Sequence, residues 1–227
     1  MARHYKIAVV GGTGAEGGGI AFRLARAGHT LTIGSRDRAK AEKTAAQLTA
    51  LLKLRCEGAD NRTAASGAEV VFLTVPFAAQ KSTIVELSDI LCGKILVDAT
   101  VPLVPPRVGR VQLPEQGSAV AAIQTLLGSD VRVVSAFQNV SAHHLKEPDR
   151  AIECDVLVCG DDRAACDVVI GLADDMCLRG IYAGPICNSV AAEALTSLLI
   201  SINRQYKIPA AGIRITGLPD QPPSKKW

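Results

Sequence analysis

The sequence predicts an α/β protein of the Rossmann type: a doubly wound, mostly parallel sheet with a small C-terminal α/β extension. The run Lys6–Val10 ends in a G-x-G-x-x-G pattern made by Gly12, Gly14 and Gly17, and this pattern opens a helix. The run Glu69–Thr74 is almost continuously apolar, which is typical of a parallel strand covered on both faces. Such runs alternate with helical segments along the chain, as they do in βαβ units.

Composition and charge exclude several other classes of protein. With 25 basic and 22 acidic residues, the net charge of +3 is too small to indicate a nucleic acid or a membrane as partner. The seven cysteines form no CxxC motif and no regular spacing with histidine, so we expect neither disulfides nor a metal site. Buried, reduced thiols are expected for the five cysteines that lie in apolar runs or next to them: Cys154, Cys159, Cys166, Cys177 and Cys187. The N-terminus shows no signal peptide and no apolar run reaches membrane-spanning length, so we expect a cytoplasmic protein.

Each glycine of the first turn has a separate expected role. Gly12 allows a tight turn, Gly14 lets a pyrophosphate approach the backbone, and Gly17 lets the helix lie close to the strand. The helix, predicted from Gly14 to Ala27, offers free N–H groups and the positive end of its dipole to phosphates. The turn therefore predicts a dinucleotide site.

The residues after the second strand indicate which dinucleotide is bound. A site for NAD usually has an acidic residue here, whereas Thr30–Gly34 is followed by Ser35 and Arg36. A guanidinium can hold a 2′-phosphate with two parallel hydrogen bonds, and Lys40 can add charge. Asp37 is expected to cap the next helix. The pattern favours NADP over NAD.

The following elements are less strongly marked. A helix is predicted over Arg38–Leu52, a short strand over Leu54–Glu57 and a short helix over Asn61–Ser66. After the apolar strand that ends near Thr74, ligands are expected outside the carboxyl edge of the sheet. The residues predicted to face the cofactor there are Val75, Pro76 and Phe77, with Ala79 at the start of a helix predicted mainly over 81–91.

The next strand, Lys94–Val97, leads into a second set of polar residues. Asp98 could act in catalysis, but a carboxylate bonded to loop N–H groups is the simpler interpretation. The loop after it is rich in proline and contains Arg107 and Arg110, which could meet an anionic substrate or be solvated surface charges. A helix over 115–127 and the strand Val131–Ser135 complete this part.

The stretch after that strand, residues 136–144, carries neutral hydrogen-bonding groups. Gln138, Asn139 and Ser141 are expected near the cofactor edge, with Val140 between them. Adjacent histidines His143 and His144 point in different directions, so they predict no chelating pair. Beyond this stretch, residues 154–183 predict a strand, a helix and a second strand. The last helix, predicted over 188–203, has an apolar arc broad enough to meet a second subunit.

Six segments, in this order, resemble one family: GGTGAEGGGIAFRLARAGH, IGSRDRAKAE, VFLTVPF, VVSAFQNVSA, CGDD and AGPICNS. The chain looks like the NADPH-dependent reductases of the deazaflavin coenzyme F420, the F420H2:NADP oxidoreductases. The resemblance extends over residues 6–202. The pair GGTG and GSR is shared with other NADP proteins, including the cytosolic domain of membrane ferric reductases, and the full ordered set is more specific.

The resemblance implies a homodimeric enzyme that passes a hydride between NADP(H) and F420, with no catalytic side chain and no metal. It implies a Rossmann domain over residues 1–150 and a C-terminal portion, 151–227, that completes the substrate cleft and the dimer interface. The implied cofactor-binding residues are Gly12, Thr13, Gly14, Ala15, Glu16, Ser35, Arg36, Lys40, Val75, Phe77, Ala79, Val101 and Ala142. The implied substrate-binding residues are Gln138, Asn139, Val140 and Ser141.

Two other interpretations are compatible with the residues. The protein could be an NADPH-dependent reductase of another acceptor, such as a flavin, a ferric chelate or an imine. It could also be a non-catalytic protein that binds or senses NADP.

Overall fold

Six parallel strands form the central sheet of the computed structural model, which describes residues 3–147 and 152–218. In chain order these strands are β1 (Lys6–Val10), β2 (Thr30–Ser35), β3 (Cys56–Asp60), β4 (Val70–Leu73), β5 (Ile95–Asp98) and β6 (Arg132–Ser135). Their order in the sheet is β3-β2-β1-β4-β5-β6, the doubly wound arrangement that the sequence predicts. The change of direction between β1 and β4 opens a crevice at the carboxyl edge.

Helices cover both faces of this sheet, and a second, two-stranded parallel sheet follows it. The helices are α1 (Ala15–Arg26), α2 (Arg38–Leu52), α3 (Asn61–Ser66), α4 (Phe77–Leu87), α5 (Ala119–Leu127), α6 (Ala142–Leu145), α7 (Arg163–Asp175) and α8 (Ser189–Tyr206). The added strands are β7 (Asp155–Val158) and β8 (Arg179–Tyr182). Ser135 and Cys159 form an antiparallel bridge that joins the end of β6 to the residue after β7.

Alternating side chains of the strands build two cores, one on each face of the sheet. In β1, Ile7 and Val9 belong to the first cluster, whereas Ala8 and Val10 belong to the second. The first cluster also contains residues of β7 and α7, so the C-terminal portion shares a core with the Rossmann part. The predicted domain boundary, at residues 150 and 151, lies outside the described residues.

Three of the predicted elements begin at other residues in the structure. The third strand lies at Cys56–Asp60 rather than Leu54–Glu57, because a polar edge strand carries little apolar signal. Its Gly58 allows α2 to approach, since a Cβ there would lie 2.4 Å from the carbonyl carbon of Ala41. Helix α4 begins at Phe77, and α5 begins only after Ser118, whose side chain caps it.

Helix α8 is apolar but takes part in the fold. By length and mean hydropathy alone, Ile186–Tyr206 could cross a membrane. Its Glu193 carboxylate, however, accepts the backbone N–H groups of Ala119 and Val120 at the start of α5, at 2.8 and 3.2 Å. The Thr196 hydroxyl donates to the carbonyl of Gln138 at 2.7 Å. These contacts place one face of α8 against the carboxyl edge of the sheet.

All seven cysteines are free thiols. Cys154, Cys159 and Cys166 are buried as predicted, and Cys177 is half-buried. Cys187 is exposed, because it lies in the short turn that precedes α8. Its burial was therefore wrongly predicted from the apolar residues around it.

Candidate functional site

A cavity of about 170 Å³ lies at the carboxyl edge, where the crevice between β1 and β4 opens. The structure brings six of the predicted cofactor residues to its wall: Thr13, Gly14, Ser35, Arg36, Val75 and Ala79. Pro76, also predicted to face the cofactor, lines it as well. These residues come from three different segments, so the cavity is assembled by the fold.

The glycine turn explains how the chain leaves β1. The left-handed residue is Gly11, with φ of +81°, so the tight turn predicted for Gly12 is made one residue earlier. Gly12 is needed for a close approach, because a Cβ there would lie 2.8 Å from the carbonyl oxygen of Val9. At Gly17 a Cβ would lie 2.3 Å from the Thr74 hydroxyl, which locks α1 against the end of β4. Gly14 is exposed and precedes α1 without a capping side chain.

The basic residues after β2 have different partners. Asp37 caps α2 as predicted, since its Oδ1 accepts the backbone N–H of Lys40 at 3.2 Å. The Lys40 ammonium lies 3.9 Å from the same carboxylate, and Arg38 pairs with Glu42 at 2.8 Å. Arg36 lines the cavity, is exposed, and forms no ion pair with the residues that the structure describes. Its guanidinium is therefore available to an anion.

Four residues of the cavity wall were missed by sequence reasoning: Gly11, Asn61, Thr74 and Thr83. Asn61 directly follows β3, so a correct position for that strand would have placed it at the carboxyl edge. Thr83 lies inside the helix predicted over 81–91, but no pattern in that helix marked it as facing the cavity. Thr74 ends the apolar run and bonds back to the Val10 carbonyl at 2.9 Å.

The other predicted cofactor residues lie along the same edge but outside this cavity. Ala15 and Glu16 form the first turn of α1, and Phe77 begins α4. Val101 follows β5, and Ala142 begins α6; both are half-buried. Lys40 lies on the exposed first turn of α2.

Carboxylates also gather at the centre of the edge. As expected, Asp98 is bonded by its surroundings: Oδ1 accepts the Thr100 N–H at 2.8 Å, and Oδ2 accepts the Gln80 amide at 2.6 Å. Burial raises the pKa of Asp98 to about 6, although these hydrogen bonds oppose the rise. Glu16 keeps an opening to solvent, yet the dense protein around its carboxyl group raises its pKa to about 8, and the charge of Asp98 adds to the shift. Glu16 is therefore mostly neutral at pH 7.

This protonation makes nucleotide binding sensitive to pH. Above pH 8 a negative Glu16 would repel a phosphate held at the start of α1, so NADPH binding should weaken about tenfold between pH 7 and pH 9. The 2′-phosphate is already ionised in this range, since its second pKa is about 6. Glu16→Gln should remove this dependence, as measured by fluorescence titration of NADPH. The same pH profile in both proteins would show that Glu16 does not face the phosphates.

The stretch after β6 turns sharply. Phe137 has φ of +77°, which is strained for a bulky residue, and its buried ring packs on Phe72 at 5.8 Å. This bend directs the Gln138 amide to the carbonyl of Asp98 at 2.7 Å. Its other amide atom, Oε1, is buried without a hydrogen-bond partner among the described residues. Gln138 thus keeps a free acceptor near the end of β5.

The neighbours of Gln138 are directed elsewhere. The Asn139 amide donates to the carbonyl of Asp155 at 2.6 Å and is buried, so its side chain holds β7 in place. Val140 belongs to the core. Ser141 is half-buried and caps α6. Gln138 is buried as well, so Ser141 is the one predicted substrate residue of this stretch that is partly exposed. Gln138 keeps an unpaired amide oxygen, while Asn139 and Val140 fix the segment that carries both residues.

The proline-rich loop lies beside α8. Arg107 and Arg110 are exposed and make no ion pair in the part of the chain that the structure describes. The Ser201 hydroxyl of α8 donates to the Gly109 carbonyl at 2.7 Å and fixes the loop between the two arginines. Their contact with an anionic substrate stays a prediction.

Known proteins share this arrangement of sequence and fold. Residues 6–102 match a family model described as NADP oxidoreductase, coenzyme F420-dependent. Relatives named F420-dependent NADP reductase from Methanothermobacter thermautotrophicus and Methanocaldococcus jannaschii are each 41% identical. The alignments cover 95% and 94% of this chain, and 97% and 99% of those proteins.

A solved structure extends the likeness to three dimensions. A protein from Arthrobacter sp. FB24, described as a candidate F420-dependent NADP-reductase, superposes with a TM-score of 0.77 at 28% identity. The match covers 93% of this chain and 99% of that one. With the glycine turn, the Ser35–Arg36 pair and the doubly wound sheet in place, the chain belongs to the family of F420-dependent NADP reductases.

Proposed function

We propose that the protein is an oxidoreductase that transfers a hydride between NADP(H) and the deazaflavin coenzyme F420. Both substrates are inferred from the family to which the chain belongs. One structural observation supports the binding of NADP(H) most strongly. The cavity at the carboxyl edge joins the glycine turn to Arg36, an arginine without an ion-pair partner among the described residues. A diphosphate and a 2′-phosphate therefore both have suitable donors.

The chain would hold NADP(H) through three sets of groups. Backbone N–H groups at the start of α1 suit the diphosphate, and Glu16 can donate a hydrogen bond while it is protonated. Hydroxyl, guanidinium and ammonium groups suit the 2′-phosphate. Apolar side chains line the nucleotide and exclude water from the pocket that holds the nicotinamide. The diphosphate set is Thr13, Gly14, Ala15 and Glu16, and the 2′-phosphate set is Ser35, Arg36 and Lys40. The apolar set is Val75, Phe77, Ala79, Val101 and Ala142.

The chemistry needs placement more than acid–base groups. When both substrates are bound, a hydrogen nucleus with two electrons passes between nicotinamide C4 and deazaflavin C5. The chain contributes by holding two flat rings face to face and by excluding water. On the deazaflavin side, Gln138 offers its free Oε1 and Ser141 its hydroxyl. Asn139 and Val140 keep both in position.

Stopped-flow absorbance with F420 and NADPH tests this proposal. We expect the deazaflavin absorbance to fall as NADPH is consumed, and NADPH deuterated at the transferred position should leave deuterium on deazaflavin C5. Flavin, a ferric chelate and an imine serve as comparison acceptors in the same assay. NADPH binding without any transfer to F420 would contradict the proposal, and transfer to another acceptor would replace it.

We also propose that the protein is a homodimer in the cytoplasm and that residues 151–227 contribute to the cleft and the interface. Helix α8 supports it, because Leu198, Ile202 and Tyr206 follow one another at intervals of four and are exposed. The loop beside it adds the exposed side chains of Val104 and Val111. An apolar stripe of this kind suits a second copy of the chain.

Charge placed on this stripe should separate the subunits. The double change Leu198→Glu and Ile202→Glu is expected to give a monomer, because it would bury carboxylates against an apolar surface. Size-exclusion chromatography with light scattering measures the mass. Leu51→Glu is the control, since Leu51 is 69% exposed on the distant α2. A dimer that survives the double change would place the interface elsewhere.

A further inference from the structure

Asn61 is buried beside the proposed NADP site without a structural task that explains it. It is the first residue of α3 and only 4% exposed. The helix is already capped by Asp60, whose two carboxylate oxygens accept the backbone N–H and the hydroxyl of Thr63 at 2.8 and 2.7 Å. Asn61 is therefore not needed to begin α3.

The Asn61 amide also lacks partners. Its Oδ1 is buried without a hydrogen bond, and its amide nitrogen makes none with the residues that the structure describes. A Cβ on Gly34 would lie 3.1 Å from this oxygen, so the amide occupies the space beside β2 next to Ser35. A buried amide oxygen without a partner is unfavourable, so an unpaired one points to a partner supplied by water or by a ligand.

The cavity in front of Asn61 has a size and a lining that suit one ring. Its volume of about 170 Å³ is below the roughly 300–1,000 Å³ typical of sites that hold a whole ligand. Val75, Pro76 and Ala79 supply apolar walls, while Asn61 and Thr83 supply polar groups. Arg36 lies at the same cavity, where a phosphate attached to the adjoining ribose would meet it.

We propose that this cavity receives the adenine ring and that the Asn61 amide recognises its hydrogen-bonding edge. The inference rests on the proposed binding of NADP. Adenine presents an amino donor beside a ring-nitrogen acceptor, and an amide complements this pair with one acceptor and one donor. Asn61 would then recognise the base, which NADP and NAD share, whereas Arg36 recognises the phosphate, which only NADP carries.

Calorimetric titration of the wild type and Asn61→Ala with three nucleotides tests this division. Asn61→Ala should weaken NADP and NAD by the same factor, about 5- to 150-fold, the range of one paired amide–adenine contact. The third nucleotide is 1,N6-etheno-NADP, in which the amino edge of adenine is blocked. Its affinity should hardly change with Asn61→Ala.

The outcomes separate the inference from the proposed function. A loss of affinity for NADP alone would mean that Asn61 contacts the phosphate. An equal loss for the etheno analogue would mean that Asn61 does not contact the amino edge of adenine. Either result overturns the inference, as does an unchanged affinity of Asn61→Ala for NADP and NAD. Because the Asn61 side chain makes no hydrogen bond, the unliganded variant should melt close to the wild type, which confirms folding. A wild type that binds none of the three nucleotides would instead contradict the proposed function.

Discussion

Replacing Arg36 with alanine should weaken NADP binding about 10- to 150-fold and leave NAD binding within about twofold. A bidentate guanidinium–phosphate pair is worth about 1.5–3 kcal/mol, and NAD lacks the phosphate that would form it. Arg36 suits this role because it lines the cavity and carries no ion pair within the described residues. Calorimetric titration with both nucleotides gives the two dissociation constants directly.

Arg38→Ala is the matched control for this prediction. It removes the same charge two residues further along the chain, from an exposed side chain that pairs with Glu42 at 2.8 Å and lies outside the cavity. We expect its effect on NADP to be small and to vanish as salt is added, since only a screened field is lost. Equal effects of the two changes would mean that general charge, and not a contact of Arg36, selects NADP.

The parts of this site that the sequence could predict are local. Ser35 and Arg36 directly follow a strand, so their position at the carboxyl edge is determined by neighbours in the chain. The glycine turn is similar, although the left-handed residue proved to be Gly11. The order of the six strands was predictable because a dinucleotide-binding glycine turn is typical of the doubly wound sheet, whose usual strand order is the one observed.

The parts that could not be predicted depend on distant contacts. Asn61 was missed because β3 is an edge strand with few apolar residues, and its packing on α2 depends on the close approach that Gly58 allows. Asn139 was expected at the substrate, but its amide donates to the carbonyl of Asp155 in β7. No pattern in residues 136–144 indicates that contact. The raised pKa of Glu16 depends on burial and on Asp98, which the fold brings from another strand.

One such distant contact connects the glycine helix to α6 and to the end of α7. Arg23 lies on α1 and is 2% exposed. Its guanidinium donates to the backbone carbonyls of His144, Leu145 and Glu147 at 3.1, 3.1 and 2.9 Å, and to that of Met176 at 2.9 Å. It therefore joins the ends of α6 and α7 to the helix that begins at the glycine turn.

Arg23→Met should lower the free energy of unfolding by about 3–5 kcal/mol, because methionine fills part of the volume but leaves these carbonyl acceptors without a donor. That loss is a large fraction of the roughly 5–15 kcal/mol that stabilises a typical domain. Urea unfolding, followed by circular dichroism, should show a lower midpoint with an unchanged slope. Arg38→Met, on the exposed face of α2, should change stability by no more than about 0.5 kcal/mol. Similar midpoints for the two variants would show that the α6 turn is held by its own contacts, such as the packing of Leu145 against Gly19.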